Sequence, residues 1–246
     1  MARFAVTVLV VLQPGYLPWL GYFDQLARAD LFVHYDDVQF DKNGWRNRNR
    51  VKGPEGPVWL SVPVSQPQHG QRIDEVRIDN RRPWARKHVA TLTQFYARAP
   101  YRDAYLPALA DLLQRDWEKL VDLDLAVIAL ISGWLGITTP TRRASQLALS
   151  GDRNDRLVAL CRQFSADRYL SGDAAQGYLE PDLFSKAGVD VEWQAFDHPV
   201  YAQPFGAFVS HLSAIDMIFN AWAPGRRLAR REELSAALFN QQAACG

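Results

Sequence analysis

A short, almost entirely apolar run near the start of the chain constrains the fold more than any other feature. Val6 to Leu12 is rich in β-branched residues, which is typical of a parallel strand buried on both faces. Gln13-Pro14-Gly15 ends the run as a turn. Apolar residues then recur at helical spacing from Trp19 to Ala29, and a second apolar run follows from Leu31 to Tyr35. This order predicts a βαβ unit, whose crossover is right-handed.

The rest of the chain repeats the alternation of strands and helices. It predicts an α/β fold with a mostly parallel, Rossmann-like sheet, a helical insertion near residues 84–136 and a helical C-terminal part, within a single domain over residues 1–246. The further predicted strands are Val58–Val64, Glu75–Ile78, Ile137–Pro140, Asp167–Ser171 and Val189–Phe196. The predicted helices are Trp84–Tyr96, two or more within Tyr105–Leu135, then Asp152–Phe164, Pro181–Ala187 and Ser213–Ala221. Asp41–Lys52 is predicted to be irregular because it is mostly polar.

Charge and segment length exclude several classes of partner. A formal net charge of +1 argues against nonspecific electrostatic binding to DNA or to a membrane surface. The N-terminal apolar run is too short to span a membrane and lacks a following cleavage site, so we expect a cytoplasmic protein without membrane insertion. The two cysteines, Cys161 and Cys245, have no metal-binding spacing and are interpreted as unpaired thiols. No metal site is predicted.

Polar residues at the predicted strand ends indicate where a ligand binds. In open α/β sheets, ligands bind beyond the carboxyl ends of the strands. The first strand ends at Gln13, Gln39 follows the second closely, and a later strand ends at Ser171. The turn after Gln13 precedes a helix and carries Tyr16 and Trp19, which either contact the ligand or pack into the core around a rigid turn.

Asp36 and Asp37 follow the second predicted strand directly. Two adjacent carboxylates cannot both enter an apolar core without a large cost in free energy. One of them is therefore a candidate general base, a ligand for a hydroxyl or amine, or a metal ligand. The structural alternative is that both cap the following turn. We assign both to the candidate catalytic residues.

The segment from Lys42 to Lys52 is the most unusual part of the sequence, because arginine and asparagine alternate after Trp45. In an extended chain, Arg46, Arg48 and Arg50 lie on one side and Asn47 and Asn49 on the other. Guanidinium groups suit phosphate or carboxylate, and an indole ring stacks on a base or sugar. The alternative is a solvated loop. Trp45, Arg46, Asn47 and Arg48 are assigned to substrate binding.

Three further groups complete the set of candidates. Lys87 and His88 lie in the helix that begins near Trp84. They either bind substrate or are solvent-exposed residues of a surface helix. His198 is a candidate catalytic histidine, and Gln203 a candidate substrate-binding residue, although a lone histidine is more often a packing residue. Ser213 and Asp216 bind substrate or form a capping-box-like helix start. No Ser-His-Asp order or glycine-rich phosphate loop is found.

These residues resemble those of the WbqC-like protein family. The matching segments are Gln13-Pro14, Tyr16–Phe23, Asp36–Phe40, Trp45–Asn49, Trp84 with Lys87-His88, Tyr169–Gly172, Tyr201 with Gln203, and Leu212–Asn220. They occur in order over almost the whole chain. The opening strand, turn and helix are also loosely similar to nucleotidylyltransferases and class I synthetases, but their paired-histidine signature is missing from this turn.

The resemblance implies a role in bacterial biosynthesis, since family members occur among surface-polysaccharide genes and a glycine transferase role has been suggested. We therefore expect acyl or aminoacyl transfer, such as glycyl transfer, to an amino or hydroxyl group of a sugar-derived or other small acceptor. The donor would be an activated acyl group on a charged tRNA, a carrier protein or another thioester, and no bound cofactor is predicted. The alternatives are a nucleotidylyltransferase that uses magnesium and a non-catalytic binding subunit.

Overall fold

The computed structural model describes residues 8–66 and 68–228. These residues form seven strands: β1 (Val8–Leu12), β2 (Leu31–His34), β3 (Arg48–Gly53), β4 (Gly56–Ser61), β5 (Thr141–Arg143), β6 (Arg168–Ser171) and β7 (Asp190–Trp193). Five of them form a parallel sheet in the order β5-β2-β1-β6-β7, and β3 and β4 form an antiparallel hairpin. The predicted α/β fold with a mostly parallel sheet is confirmed.

The central strand β1 is buried on both faces, as its apolar sequence predicts. Val8 and Val10 belong to one hydrophobic cluster, whereas Leu9 and Val11 belong to another. Successive side chains of a strand point to opposite faces of the sheet, so the two clusters lie on the two sides of β1. Residues 6 and 7, with which we predicted the strand to begin, lie outside the described residues.

Helices cover both faces of the sheet. They are α1 (Leu20–Arg28), α2 (Trp84–Phe95), α3 (Arg102–Leu113), α4 (Leu120–Leu135), α5 (Arg153–Phe164), α6 (Pro181–Lys186) and α7 (Ala214–Ala221). Side chains from α1 to α4 and α7 join the cluster around Val10, and those from α5 and α6 join the cluster around Leu9. As predicted, Asp152 caps α5, where its carboxylate accepts a hydrogen bond of 3.0 Å from the Asp155 amide.

The order of the strands reverses beside β1. The chain passes from β1 through β2 to β5 on one side, then crosses over and continues with β6 and β7 on the other side. Helices before and after the reversal lie on opposite faces, which leaves a crevice at the carboxyl ends of β1 and β6. Such a switch point is the usual ligand position in open α/β sheets.

The β3–β4 hairpin is joined to the turn that follows β1. The Tyr16 amide donates to the Arg46 carbonyl at 3.0 Å, and the Ser213 amide donates to the Arg50 carbonyl at 2.9 Å. The Ala214 amide donates to the Pro18 carbonyl at 2.8 Å. These backbone bonds hold the turn, the hairpin and the start of α7 together.

Three predictions of local structure are wrong. Asp41–Lys52 is not irregular throughout, because β3 begins at Arg48 and its polar residues alternate between a buried and an outer face. The strand predicted at Glu75–Ile78 is replaced by a 3-10 turn at Ile73–Glu75 and one isolated bridge, between Val64 and Ile78. The strand predicted at Ile137–Pro140 begins only after that segment, at Thr141, because proline has no amide hydrogen for the ladder.

None of the helices in the described ranges is long and apolar enough to cross a membrane.

Candidate functional site

A cavity of about 300 Å³ opens beside the carboxyl end of β1, at the switch point of the sheet. We call it the β1 cavity. It lies between the turn after β1, the start of α1 and the residues that lead into β3. Its lining residues are Leu12, Gln13, Gly15, Pro18, Trp19, Tyr22, Trp45, Arg46, Asn49 and His211.

The turn and the hairpin approach each other so closely that one position must be glycine. A Cβ atom added to Gly15 would lie 2.6 Å from the carbonyl oxygen of Trp45. Next to this contact, Leu17 is fully buried with a φ of 47°, a conformation that non-glycine residues adopt rarely. The Asn49 amide group donates to the Leu17 carbonyl at 2.7 Å and holds the turn in this conformation.

Arg46 is a buried cation in the cavity wall. Only 14% of its side chain is exposed, and its Nε lies 3.6 Å from Asp41 Oδ1, too far for a hydrogen bond. Both Nε and Nη1 are buried without a hydrogen-bond partner in the part of the chain that the structure describes. Burial lowers the pKa of Arg46, while nearby Asp41 and Asp124 raise it. A guanidinium with unused donors beside a cavity is suited to bind an anionic group.

Asp124 is a second buried ionisable residue close to this wall, and sequence reasoning missed it. The residue lies on α4 and is fully buried, and neither carboxylate oxygen has a hydrogen-bond partner among the described residues. Burial raises the pKa of Asp124 well above its ordinary value, and Arg46 opposes that shift. The signal was available, since Asp124 occupies the apolar stripe of α4 that includes Leu120, Val127 and Ile128.

Aromatic rings form the other wall of the cavity. Trp19 stacks on His211 with ring centroids 5.0 Å apart and packs edge-on against Phe196 at 5.3 Å. The Trp19 ring covers Gly21, where an added Cβ would lie 2.2 Å from the indole. His211 is exposed, has a φ of 56° and has its Nδ1 2.8 Å from Ser210 Oγ. The cavity therefore has an imidazole at its mouth.

His198 does not line the β1 cavity but packs behind His211, with ring centroids 5.3 Å apart. Its Nδ1 lies 3.0 Å from the Pro199 carbonyl oxygen, and its Nε2 is buried without a partner among the described residues. Burial is the main cause that lowers the pKa of His198. The ring is therefore neutral near pH 7.

Gln203 and Asp216 belong to a buried network that holds the loop carrying His211. The Asp216 carboxylate accepts hydrogen bonds from Tyr96 Oη at 2.5 Å, from Tyr201 Oη at 2.9 Å and from Gln203 Nε2 at 2.8 Å. Gln203 also exchanges two hydrogen bonds with the backbone of Val209. Asp216 therefore does not complete a capping box. Ser213 makes no side-chain cap, and its hydroxyl is buried without a partner in the described ranges.

The two candidate carboxylates after β2 lie away from the β1 cavity. Asp36 is fully buried, and its oxygens accept hydrogen bonds from Arg143 Nε at 2.7 Å and from the amide and hydroxyl of Ser145 at 2.9 and 2.8 Å. Asp37 is paired with Arg156 of α5. Gln39 is exposed and forms an isolated backbone bridge with Arg72.

The remaining candidates are also outside the cavity. Tyr16 is fully buried with its hydroxyl 2.9 Å from His88 Nδ1, and burial lowers the pKa of His88 to about 4. Lys87 is exposed on α2, and Ser171 is buried at the end of β6. Asn47 donates to the Val62 carbonyl at 2.8 Å. Arg48 lies on the outer face of the hairpin, over Trp59.

Of the residues predicted from the sequence, Gln13, Trp19, Trp45 and Arg46 come together at the β1 cavity. Sequence reasoning missed three polar or aromatic lining residues, which are Tyr22, Asn49 and His211. All three stood in or beside the quoted segments. Nothing in the sequence alone separated them from their neighbours, because their selection depends on which face of α1, β3 and the last loop is turned inward.

A second cavity, of about 450 Å³, lies on the opposite side of Gln13, and we call it the α5 cavity. Arg153 and Arg156 line it from the first turn of α5, together with Tyr35 and Tyr178. Each guanidinium lies over one of these rings, Arg153 at 4.4 Å from the Tyr178 centroid and Arg156 at 5.0 Å from that of Tyr35. Gln13 thus stands between two cavities on the two sides of β1.

Comparisons with known proteins agree with the resemblance seen in the sequence. The model of the WbqC-like protein family matches residues 13–226. A protein of Mycobacterium tuberculosis, called Uncharacterized protein Rv1507c, is 34% identical over 218 residues, which cover 87% of this chain and 94% of that protein. No solved structure matches the chain.

Proposed function

The chain belongs to the WbqC-like protein family, and we propose that it is a bacterial biosynthetic transferase that moves an acyl or aminoacyl group within the β1 cavity. The acceptor is an amino or hydroxyl group of a small molecule, such as a sugar derivative. The observation that carries the proposal is Arg46, whose buried guanidinium has unused donors in the wall of the β1 cavity. An anionic group on one substrate would satisfy these donors and fix its orientation.

Proton transfer in this scheme falls to His211 rather than to Asp36 or Asp37. The lone pairs of Asp36 are engaged by Arg143 and Ser145, and Asp37 is paired with Arg156, whereas His211 lines the cavity. Its ring is supported by stacking on Trp19 and by contact with His198. Histidine is the side chain that most often transfers protons in enzyme active sites.

The reaction then balances without an oxidant or reductant. The acceptor nitrogen or oxygen attacks the acyl carbon and gives its proton to His211. The bond from the acyl carbon to the oxygen or sulfur of the carrier breaks, and the carrier leaves as an alcohol or thiol after it takes the proton. Gln13 and Asn49 line the same cavity and are available as neutral hydrogen-bonding groups.

The test is a mass-spectrometric assay for an acylated acceptor, with an acyl thioester or a charged tRNA as donor and amino sugars as acceptors. Arg46→Gln should lower turnover by about 10- to 100-fold, since a hydrogen bond to a charged group contributes roughly 1.5–3 kcal/mol. Arg86→Gln on the exposed surface of α2 is the matched control and should keep full turnover. Full turnover by the Arg46 variant would remove the proposed anion site.

Nucleotidylyl transfer is a second candidate, and the α5 cavity favours it. This cavity combines two arginines, tyrosine rings and the start of α5 at the switch point, which suits a phosphorylated nucleotide. In that case ATP with magnesium should release pyrophosphate in the presence of an acceptor. Arg153→Gln should then lower the rate, whereas Arg46→Gln should leave pyrophosphate release intact.

A further inference from the structure

The outer face of the β3–β4 hairpin and the residues that lead into β3 carry the most exposed tryptophans of the described residues. Trp45 and Trp59 are 44% and 43% exposed, and their ring centroids lie 5.2 Å apart. Large aromatic side chains are normally covered in a folded protein, so two exposed indoles in contact indicate a binding surface.

Two arginines stand among these rings. Arg48 lies over the Trp59 ring at 4.3 Å, and Arg50 lies 5.5 Å from the Trp45 centroid and 5.7 Å from that of Trp59. The β-sheet register explains the arrangement, because Arg50 pairs with Trp59 across the hairpin and Arg48 is two residues away on the same face. We call Trp45, Arg48, Arg50 and Trp59 the Trp–Arg surface.

The opposite face of the hairpin belongs to the core, which rules out a simple solvated loop. Asn49, Val51 and Leu60 are buried there. The hairpin is therefore a fixed platform, and its outer face keeps its geometry without a ligand. A guanidinium group that stacks on an indole uses its face and leaves its edge for hydrogen bonds. Arg48 uses part of that edge, because its Nη2 donates to the Asn43 carbonyl.

Charge on this segment is strongly biased. Residues 41–61 contain five lysines and arginines and two acidic residues, in a chain whose formal total is +1. Arg46 and Lys52 are buried, so Arg48 and Arg50 supply the positive charge of the Trp–Arg surface itself. In proteins that bind single-stranded nucleic acid, the bases stack on aromatic side chains and the phosphates bind arginines. The Trp–Arg surface has both aromatic rings and arginines. A thioester carrier without bases would bind the arginines but would have no base to stack on the rings.

The surface leads to the β1 cavity, since Trp45 belongs to both. We propose that the Trp–Arg surface binds the single-stranded end of an RNA, with bases against the indoles and phosphates at Arg48 and Arg50, and directs that end into the β1 cavity. The assignment to RNA rests on the proposed function, because a terminal ribose carries an acyl group as an activated ester. Binding itself is measured without turnover.

The experiment is fluorescence anisotropy of the full chain with a short labelled single-stranded RNA. The comparison probes are the same strand in a duplex, the DNA strand of the same sequence, and unlabelled coenzyme A as competitor. We expect the single-stranded RNA to bind most tightly, with an affinity that falls as salt rises. Preference for the duplex, equal binding of the DNA strand, or full displacement by low concentrations of coenzyme A would each overturn the assignment.

Variants locate the contact. Trp59→Ala should weaken RNA binding about tenfold or more, since each stacked base depends on its aromatic partner. The double variant Arg48→Ala with Arg50→Ala should weaken it and flatten its salt dependence, whereas Arg86→Ala on α2 should bind like the unchanged protein. Circular dichroism and melting confirm that each variant is folded, and Trp59→Phe gives a milder stacking variant if the alanine variant is not.

The outcomes separate this inference from the proposed function. Acyl transfer from a thioester, without RNA binding, would refute the RNA surface and leave the β1 cavity as a transfer site. RNA binding that requires Trp59, without transfer from any donor, would support the surface and refute the transferase. Unchanged RNA binding by all Trp–Arg variants would overturn the inference even if transfer occurs.

Discussion

Arg46 and Asp124 are buried and close enough to interact electrostatically, yet no hydrogen bond or ion pair joins them in the described part of the chain. Each favours the charged form of the other, and each retains unsatisfied polar atoms. Buried ionisable groups are normally paired or hydrogen-bonded because desolvation is costly. Leaving two such groups without a direct bond next to a cavity lowers the stability of the fold. Arrangements of this kind are common at functional sites.

The first prediction concerns Asp124→Asn. Burial raises the pKa of Asp124 in the folded state, so the folded protein holds its proton at pH values where the unfolded chain has lost it. Such a group destabilises the fold increasingly as the pH rises above the ordinary carboxyl pKa. The free energy of unfolding of the variant, relative to the unchanged protein, should therefore rise from pH 4 to pH 8 in urea titrations.

Asp111→Asn is the matched control, since Asp111 is exposed on α3. Its effect on stability should not vary in this way with pH. A constant difference between Asp124→Asn and the unchanged protein over the whole range would show that Asp124 is ionised in the folded state. If the same variant also has lower turnover, this would show that Asp124 contributes to catalysis through its electrostatic interaction with Arg46.

The second prediction uses the buried pair of Tyr16 and His88. Burial lowers the pKa of His88 to about 4 in the folded state, while the unfolded histidine titrates near 6.5. The folded state binds fewer protons between these values, so His88 lowers stability progressively as the pH falls from about 6.5 to 4, by about 3 kcal/mol in total. His88→Gln keeps an acceptor for the Tyr16 hydroxyl and should lose less stability over that window.

His69→Gln, at an exposed position, serves as the control for this experiment. The measurement is the urea midpoint at several pH values for all three proteins. His34 is buried with a pKa also lowered to about 4, so the unchanged protein and both variants keep part of the acid sensitivity. Equal slopes for His88→Gln and the unchanged protein would contradict the buried neutral imidazole.

The sequence predicts the sheet well because continuous apolar strands such as Val8–Leu12 can be placed only in a doubly covered parallel sheet. It predicts β3 poorly because Arg48 and Arg50 make the segment polar overall. The amphipathic alternation, with Asn49 and Val51 on the inner face, is therefore not recognised. An asparagine in a buried face breaks the alternation of apolar and polar residues. Only the tertiary contact with the Leu17 carbonyl explains it.

The candidate site is predicted less completely than the fold, for a physical reason. Gln13 and Trp19 follow from the rule that ligands bind at strand ends, since both are adjacent to β1 in the sequence. His211 enters the site from about 190 residues away through the bonds of Ser213 and Ala214 to Arg50 and Pro18. The local sequence patterns that predict helices and strands contain no information about contacts between residues so far apart in the chain.

The third prediction tests the close contact between the turn and the hairpin. A Cβ atom on Gly15 would lie 2.6 Å from the Trp45 carbonyl oxygen, a backbone atom that cannot move away as the end of a flexible side chain could. Gly15→Ala should therefore destabilise the fold by about 1–3 kcal/mol, as overpacking usually does. It should also weaken ligand binding at the β1 cavity, because Trp45 and Arg46 must shift.

Gly177→Ala is a well-matched control, since an added Cβ there meets no atom within 4 Å. Thermal melting of the two variants side by side gives the stability difference. Calorimetric titration with whichever substrate binds the unchanged protein gives the affinity. Equal melting temperatures for the two variants would mean that the turn and hairpin are not in contact in solution.

The last prediction connects the buried network of Asp216 to catalysis. Tyr201 donates a hydrogen bond of 2.9 Å to Asp216, and Gln203 ties the same carboxylate to the loop that carries His211. Tyr201→Phe leaves the carboxylate with one donor fewer and should lower stability by about 2 kcal/mol, as expected for a hydrogen bond to a charged or partly charged group. Tyr178→Phe, at an exposed ring, should leave stability nearly unchanged.

The kinetic signature distinguishes positioning from mere stability. If the network places His211 over the cavity, Tyr201→Phe should reduce kcat at a temperature where the variant is fully folded, while KM changes little. The reason is that the loop, and with it the proton acceptor, loses its fixed position although Arg46 and the aromatic wall remain. A variant with lower melting temperature but unchanged kcat would show that the network only stabilises the fold, and that the stacking on Trp19 alone is sufficient to position His211.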